Sequence, residues 1–274
     1  MVKFAPSFPF IYFDILNYII RMKTEVLINP HFSYLDDYIN QIPNDFSSRG
    51  NVMHLGRNEV RRDAVKEQDI TIKYFKKITL ANRLIFATIR KSKAQRAYEH
   101  SKALNRKGFS SPEPVAYINT YKYGLLYKSF YISLYTTYKP LKELLNLPIS
   151  ESEEGLKAFA RFTSRLHKAG VLHDDYTIEN VLYNFTGNEY DFSLIDNNRM
   201  RFRKYSYGRG LKNLERLKIP VDKMGIIAAE YASEAHESDL RTLNAMAFFR
   251  LRHVVIRSVR NCLKYSLSLA KING

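Results

Sequence analysis

The chain is poor in sulfur and in acids. A single cysteine, Cys262, stands among 274 residues. That excludes an internal disulfide and fits a reducing compartment. Only 27 Asp and Glu oppose 43 Lys and Arg, for a formal charge of +16. Such a surplus calls for a polyanionic partner: nucleic acid, an anionic membrane surface or a phosphorylated substrate. Long apolar runs are missing as well. The nearest is residues 8–20, rich in Phe, Tyr and Ile but broken by Asp14 and Asn17. It is too short and too polar for a membrane span, and it lacks the small-residue cleavage site of a signal peptide. Neither an internal repeat nor a low-complexity tract occurs. The 45% hydrophobic and 14% aromatic content suffices for real cores, in one large domain or two lobes sharing a cleft.

The most informative stretch is Leu172-His173-Asp174-Asp175-Tyr176-Thr177-Ile178-Glu179-Asn180-Val181-Leu182. It has the H-x-D-x-x-x-x-N spacing of a kinase catalytic loop. Phosphoryl transfer from ATP needs a carboxylate beside the attacking hydroxyl and an oxygen ligand for Mg2+. Asp175 is the candidate for the first and Asn180 for the second. Ahead lies an amphipathic helical pattern with Leu156, Phe159, Phe162 and Leu166, closed by Gly170 as C-cap. Behind comes a short apolar strand from Val181 to Tyr183, a turn, and a strand Phe192-Ser193-Leu194-Ile195 that ends at Asp196. An Asp leaving an apolar strand about twenty residues past the catalytic Asp is where kinases keep the metal-binding Asp of D-F-G. Here the triplet reads Asp196-Asn197-Asn198. Ordinary turn aspartates are the plainer account, but both flanks supply the context the motif requires. A zinc site at His167 and His173 lacks a cysteine pair and a third ligand.

Upstream, Asn51 to Leu55, Val60 to Val65 and Ile70 to Phe75 read as strands separated by turn-like residues. Ile70-Thr71-Ile72-Lys73 aligns with the V-A-I-K strand of kinases. On a strand Lys73 shares a face with Thr71, and its ammonium there would neutralise ATP phosphate oxygens; a solvated strand lysine is the alternative. Glycine is also scarce here. No G-x-G-x-x-G occurs, only Gly56 at a turn, whose amides with those up to Asn58, and Arg57 beside them, are the candidates to cover phosphates. Residues 83–107 read as a helix stopped by Gly108, with eight basic residues and one acid, Glu99. Glu99 is expected to orient Lys73, against the alternative of a local ion pair.

Taken in order, the segments resemble those of the lipopolysaccharide core kinases, the Kdo and heptose kinase family, and a bacterial Kdo kinase most closely. The carrying residues are Ile70 through Lys77, Arg90-Lys91-Ser92-Lys93 through Tyr98-Glu99, Pro112-Glu113-Pro114, the catalytic loop, and Ile195-Asp196-Asn197-Asn198-Arg199. The resemblance implies an α+β, two-lobed protein-kinase-like fold: a β-rich lobe over 22–136 and a mostly helical lobe over 137–274. It also implies ATP and Mg2+ as cofactors, and phosphorylation of a core sugar on lipid A. Residues 1–21 precede the family-like sequence and are expected to be an upstream extension of the reading frame, or else an interfacial anchor.

Two departures bear on the acceptor. Asp174 replaces the Arg of H-R-D, which speaks against switching by a phosphorylated activation loop. No A-P-E follows Asp196, which weakens the reading as a protein kinase. Instead, residues 199–218 carry a net +7. Arg199, Arg201 and Arg203 are the candidate contacts to an anionic, lipid-linked sugar acceptor, since Arg suits carboxylates and phosphates; a solvated basic loop is the plainer account. Segments 83–107 and 241–271 carry +7 each as well, so the remainder of the chain is net acidic. Along the last segment Arg250, His253, Arg257, Arg260 and Lys264 recur at helical steps, with Met246, Phe249, Val255, Val259, Cys262 and Leu263 elsewhere on the helix. A helix packed in the core, its basic stripe meeting an anionic membrane surface, is expected, and with it a peripheral place on the cytoplasmic face of the inner membrane without a transmembrane span. A nucleic-acid binder on a degenerate kinase scaffold is the competing class, and the intact polar set argues against it.

Overall fold

The alternation of apolar and polar residues between Gln68 and Tyr74 suits a strand in a sheet with one buried face. The computed structural model, which describes residues 22–76 and 90–272, shows such a strand. The readings of 1–21, of Lys77 and of the helical pattern before Arg90 fall outside the described residues. The chain divides into two compact units, one holding the residues up to Ala103 with Pro112–Thr136, the other Leu104–Ser111 with Thr137–Gly274.

In the first unit six strands, β1 (Lys23–Ile28), β2 (Asn51–Leu55), β3 (Glu59–Val65), β4 (Gln68–Tyr74), β5 (Pro114–Lys122) and β6 (Leu125–Leu134), form one antiparallel sheet in the order β1-β5-β6-β4-β3-β2. Hairpins at Lys66-Glu67 and Tyr123-Gly124 both place two residues at positive φ, the geometry that matches strand twist in a two-residue turn. Each face has its own cover. A 3-10 turn (Pro30–Leu35) and helix α1 (Asp36–Asp45) bury Phe32, Leu35, Ile39 and Ile42 against Ile70, Ile72, Ile118 and Ile132. Helix α2 (Lys93–Arg106) packs Ala94 and Tyr98 on Phe75 and Tyr117 of the other face. Residues 90–92 are not helical. The Ser92 hydroxyl instead accepts the Gln95 amide at 3.0 Å, a capping arrangement that sets the start of α2 later than the residue pattern alone suggests.

In the second unit the helices are α3 (Leu141–Asn146), α4 (Ile149–Lys168), α5 (Tyr207–Asn213), α6 (Val221–Ala235) and α7 (Asp239–Ile272). Two small sheets join them, β10 (Tyr190–Leu194) with β9 (Val181–Phe185) and β7 (Lys139–Pro140), and β11 (Met200–Phe202) with β8 (Val171–His173). The expected face of α4, Leu156, Phe159, Phe162 and Leu166, is buried in the main core with Val181, Phe192, Leu194 and Ile227. Gly170 follows α4 at φ +75, and a Cβ there would lie 2.0 Å from the Arg203 carbonyl oxygen. Only glycine satisfies both the left-handed turn and the close β8–β11 approach.

The last helix departs from the core packing expected of it. Met246 is buried and Phe249 packs partly against the core, but Val255, Val259 and Leu263 are 52%, 53% and 59% exposed. Its second half therefore leaves the core, and the apolar side chains there face water. Among the described residues no helix is long and apolar enough to cross a membrane.

Candidate active site

The loop after β8 is fastened from both ends. Asn213, at the end of α5, accepts the His173 backbone N–H at 3.1 Å and donates to its carbonyl at 2.8 Å. The His173 ring then reaches in two directions. Its Nδ1 accepts the Asp175 N–H at 3.0 Å, so Nε2 carries the proton donated to the Ile195 carbonyl at 3.1 Å. Burial holds this imidazole below the usual histidine range, and hence neutral. Asn180 closes the other end. Its Nδ2 donates to the Asp175 carbonyl at 2.9 Å, and its backbone carbonyl accepts the Ile195 N–H at 3.0 Å. Ile195 is thus gripped on both its polar groups, and the next residue is Asp196. The strand end that carries Asp196 is tied to the loop that carries Asp175 and Asn180. Asp196 itself adopts the left-handed conformation, φ +57 and ψ 40, which Asp tolerates better than most residues. Asn198 Nδ2 donates to its Oδ1.

The arginines near this loop divide by role. Arg216 Nη1 lies 2.6 Å from Asp175 Oδ1, and Arg199 Nη1 lies 3.5 Å from Oδ2. Arg201 reaches Asp174, its Nε 2.6 Å from Oδ1, across the β8–β11 pairing in which Arg201 faces Leu172. Arg203 is exposed, and its backbone N–H donates to the Gly170 carbonyl at 2.7 Å. Of the three arginines picked from the sequence, only Arg199 touches Asp175. Arg216 reads in the sequence only as one cation of the same basic segment, and Asn213 carries no sequence signal at all.

Beneath the loop runs a buried polar network. His167 sits between the Tyr231 hydroxyl, 2.9 Å from Nδ1, and Asn213 Oδ1, 3.2 Å from Nε2. Since Asn213 Oδ1 can only accept, Nε2 is the protonated nitrogen. Burial lowers the His167 pKa to about 4, a shift that the Asn213 hydrogen bond opposes. Tyr176 meets Thr163 at 2.8 Å, and burial pushes both its hydroxyl and that of Tyr231 well up.

In the first unit, strand parity decides where Lys73 points. Ile70 and Ile72 face α1, so Lys73 lies on the face covered by α2. Its cross-strand partner Tyr131 meets Ser101 of α2 at 3.1 Å. Lys73 Nζ stands 5.5 Å from the centre of the Phe75 ring. Glu99, on the same helix, takes Lys91 Nζ at 2.8 Å and Gln95 Nε2 at 3.2 Å, so the described contacts of its carboxylate are local. Gly56 turns between β2 and β3, its N–H bonded to the Asn58 carbonyl at 3.1 Å; that amide is already satisfied within the turn. Arg57 is exposed at the tip.

A family model for the lipopolysaccharide kinase (Kdo/WaaP) family matches residues 54–236, which include β3, β4, the loop and Asp196. The chain belongs to that family. It is accordingly a phosphotransferase acting on a sugar hydroxyl of the lipopolysaccharide core, as the ordered motifs implied. No match was found among curated proteins. A solved chain titled "WaaP in complex with acyl carrier protein" superimposes with a TM-score of 0.58 at 16% identity, over 83% of this chain and 97% of that one. The likeness is one of fold, and it accords with an antiparallel sheet-rich first part and a helical second part.

The donor set of the loop suits a hard divalent cation. The Asp196 carboxylate offers oxygen, and with Nδ2 of Asn180 committed to the loop backbone, Oδ1 is the atom that side chain has to offer.

Proposed function

We propose that the protein transfers the γ-phosphoryl group of Mg-ATP to a hydroxyl of Kdo carried on lipid A. The acceptor oxygen bonds to the γ-phosphorus, the bond to the β–γ bridging oxygen breaks, ADP leaves, and Asp175 orients the hydroxyl and takes its proton. Asn180 and Asp196 would hold Mg2+, which neutralises charge on the phosphates. Lys73 would neutralise phosphate oxygens, with Glu99 on the helix over the same face of the sheet exchanging Lys91 for Lys73, and the Gly56–Asn58 turn with Arg57 would cover them.

The observation that carries this reading is the double grip on Ile195. It ties the strand end before Asp196 to the loop of Asp175 and Asn180 through two hydrogen bonds of 3.0 and 3.1 Å, while two more of 3.0 and 2.9 Å hold the loop itself, the preorganisation that phosphoryl transfer requires. Kdo is favoured over heptose because guanidinium groups at the site suit a carboxylate-bearing sugar. The exposed apolar second half of α7, with its basic stripe, supports peripheral binding at an anionic membrane surface. The test incubates the protein with Mg-ATP and either Kdo-lipid A or a heptosylated acceptor, followed by mass spectrometry. One added phosphate on the Kdo acceptor is expected; phosphate on heptose alone refutes the Kdo assignment.

A further inference from the structure

The second unit contains a groove of about 920 Å³ lined by Asp175, Thr177 and Glu179 of the loop and by α7 between Arg250 and Asn261. We propose that this groove seats the anionic headgroup of the acceptor, and that Arg216 is shared between Asp175 and that headgroup. The inference rests on the reading of the protein as a lipopolysaccharide core kinase and extends it from the loop to the surface of the last helix beside it.

Five cations line the groove: Arg216, Lys218, Arg250, Arg257 and Arg260. Three carboxylates stand among the lining residues, Asp175 paired with Arg216, Glu215 paired with Arg252 at 3.0 Å, and Glu179, so five cations against three acids leave the lining net positive. The cations are not crowded at one point. Arg250 to Arg260 spans ten helical residues, roughly 15 Å of helix axis, with Arg257 between. That spacing suits a headgroup with several separated anionic groups rather than one phosphate. Arg250 is pinned by a hydrogen bond to the Ile219 carbonyl, which fixes the inner end. Arg257 and Arg260 are exposed, and among the described residues neither has a carboxylate partner.

The opposite side of the same helix favours a glycolipid over a nucleic acid. Leu251, Val255, Val259 and Leu263 fall on that side by helical position, and all are more than half exposed. A lipid-borne acceptor gives such a face a use; a nucleic acid gives it none. Arg216 stands where the groove meets the catalytic carboxylate. An anion arriving beside it draws the guanidinium away from Asp175 and leaves that carboxylate to the acceptor hydroxyl.

The test separates binding from turnover. Binding of Kdo-lipid A to the full chain is measured for the wild type and for Arg257→Gln/Arg260→Gln, exposed positions whose replacement is checked by circular dichroism. Steady-state kinetics follow with varied acceptor and varied ATP. Binding weakened about tenfold, with acceptor KM raised and ATP KM not, supports the groove. Equal binding by a folded variant overturns it, even if the wild type is an active kinase. Groove-dependent binding without phosphate transfer would support the groove and refute the kinase reading instead. An RNA oligonucleotide that displaces Kdo-lipid A at comparable concentration would overturn the glycolipid assignment.

Discussion

Replacing His167 should change how stability depends on pH. The ring is 1% exposed and neutral in the folded protein, with its pKa lowered from 6.5 to about 4 by burial. The unfolded chain therefore binds the proton more readily. The stabilising difference is fully present above the unfolded value of 6.5 and is lost as pH falls toward the folded value. Linkage sets that loss at about 2 kcal/mol by about pH 5 and about 3 kcal/mol by about pH 4. His173 shifts in the same direction, so the wild type alone does not isolate one ring. The comparison with His167→Gln does. The variant loses hydrogen bonds to Tyr231 and Asn213 and should be less stable than wild type near neutral pH. It has no ring to protonate, so the gap should shrink by about 2 kcal/mol on going to about pH 5. Urea unfolding at each pH measures both proteins. A gap that stays constant across that range would refute the assignment of a neutral, buried His167.

Gly210→Ala would place a Cβ 2.4 Å from the Tyr231 hydroxyl and 2.9 Å from His167 Nδ1, so thermal unfolding should show a loss of about 1–3 kcal/mol from overpacking. Replacing Arg199, Arg201 and Arg203 together by Gln should raise the acceptor KM much more than the ATP KM; singly, Arg199→Gln should account for most of it, since the guanidinium of Arg201 is already engaged by Asp174, and an unchanged acceptor KM in the triple variant would return the cluster to a solvated loop. Flotation should recover the protein with anionic but not neutral liposomes, and less so at high salt, each Lys or Arg near the surface contributing about 1 kcal/mol; equal recovery on both would exclude the electrostatic mechanism.

The residues proposed to do chemistry stood out in the sequence because such roles would force their spacing. His173, Asp175, Asn180 and Asp196 sit where loop and strand geometry demand, and strand alternation alone assigned Lys73 a face. What the sequence hid depends on contacts between distant segments. Asn213 is one polar residue among many until α5 brings it against the His173 backbone. Arg216 is one of eight basic residues in its segment, and only folding sets it beside Asp175. The Lys66-Glu67 hairpin has two positive φ angles without glycine or asparagine, so its turn type left no signal. Strand β1 and helix α1 carry no motif and left no signal, although Ile39 and Ile42 of α1 are buried in the core of the first unit and Val26 and Ile28 of β1 pack against it. The pattern of α7 showed an apolar face but not where its support ends, which is set by the reach of the core beneath it.

The most direct test of the central claim follows the labelled γ-phosphate of ATP onto Kdo-lipid A with wild type and Asp175→Ala side by side, both shown to be folded and to bind ATP. Labelled acceptor from the wild type, with kcat lower by roughly 10²–10⁴-fold in the variant, is the predicted result. Equal labelling by both proteins would contradict the placement of catalysis at Asp175, and no labelling by the wild type would contradict the proposed reaction.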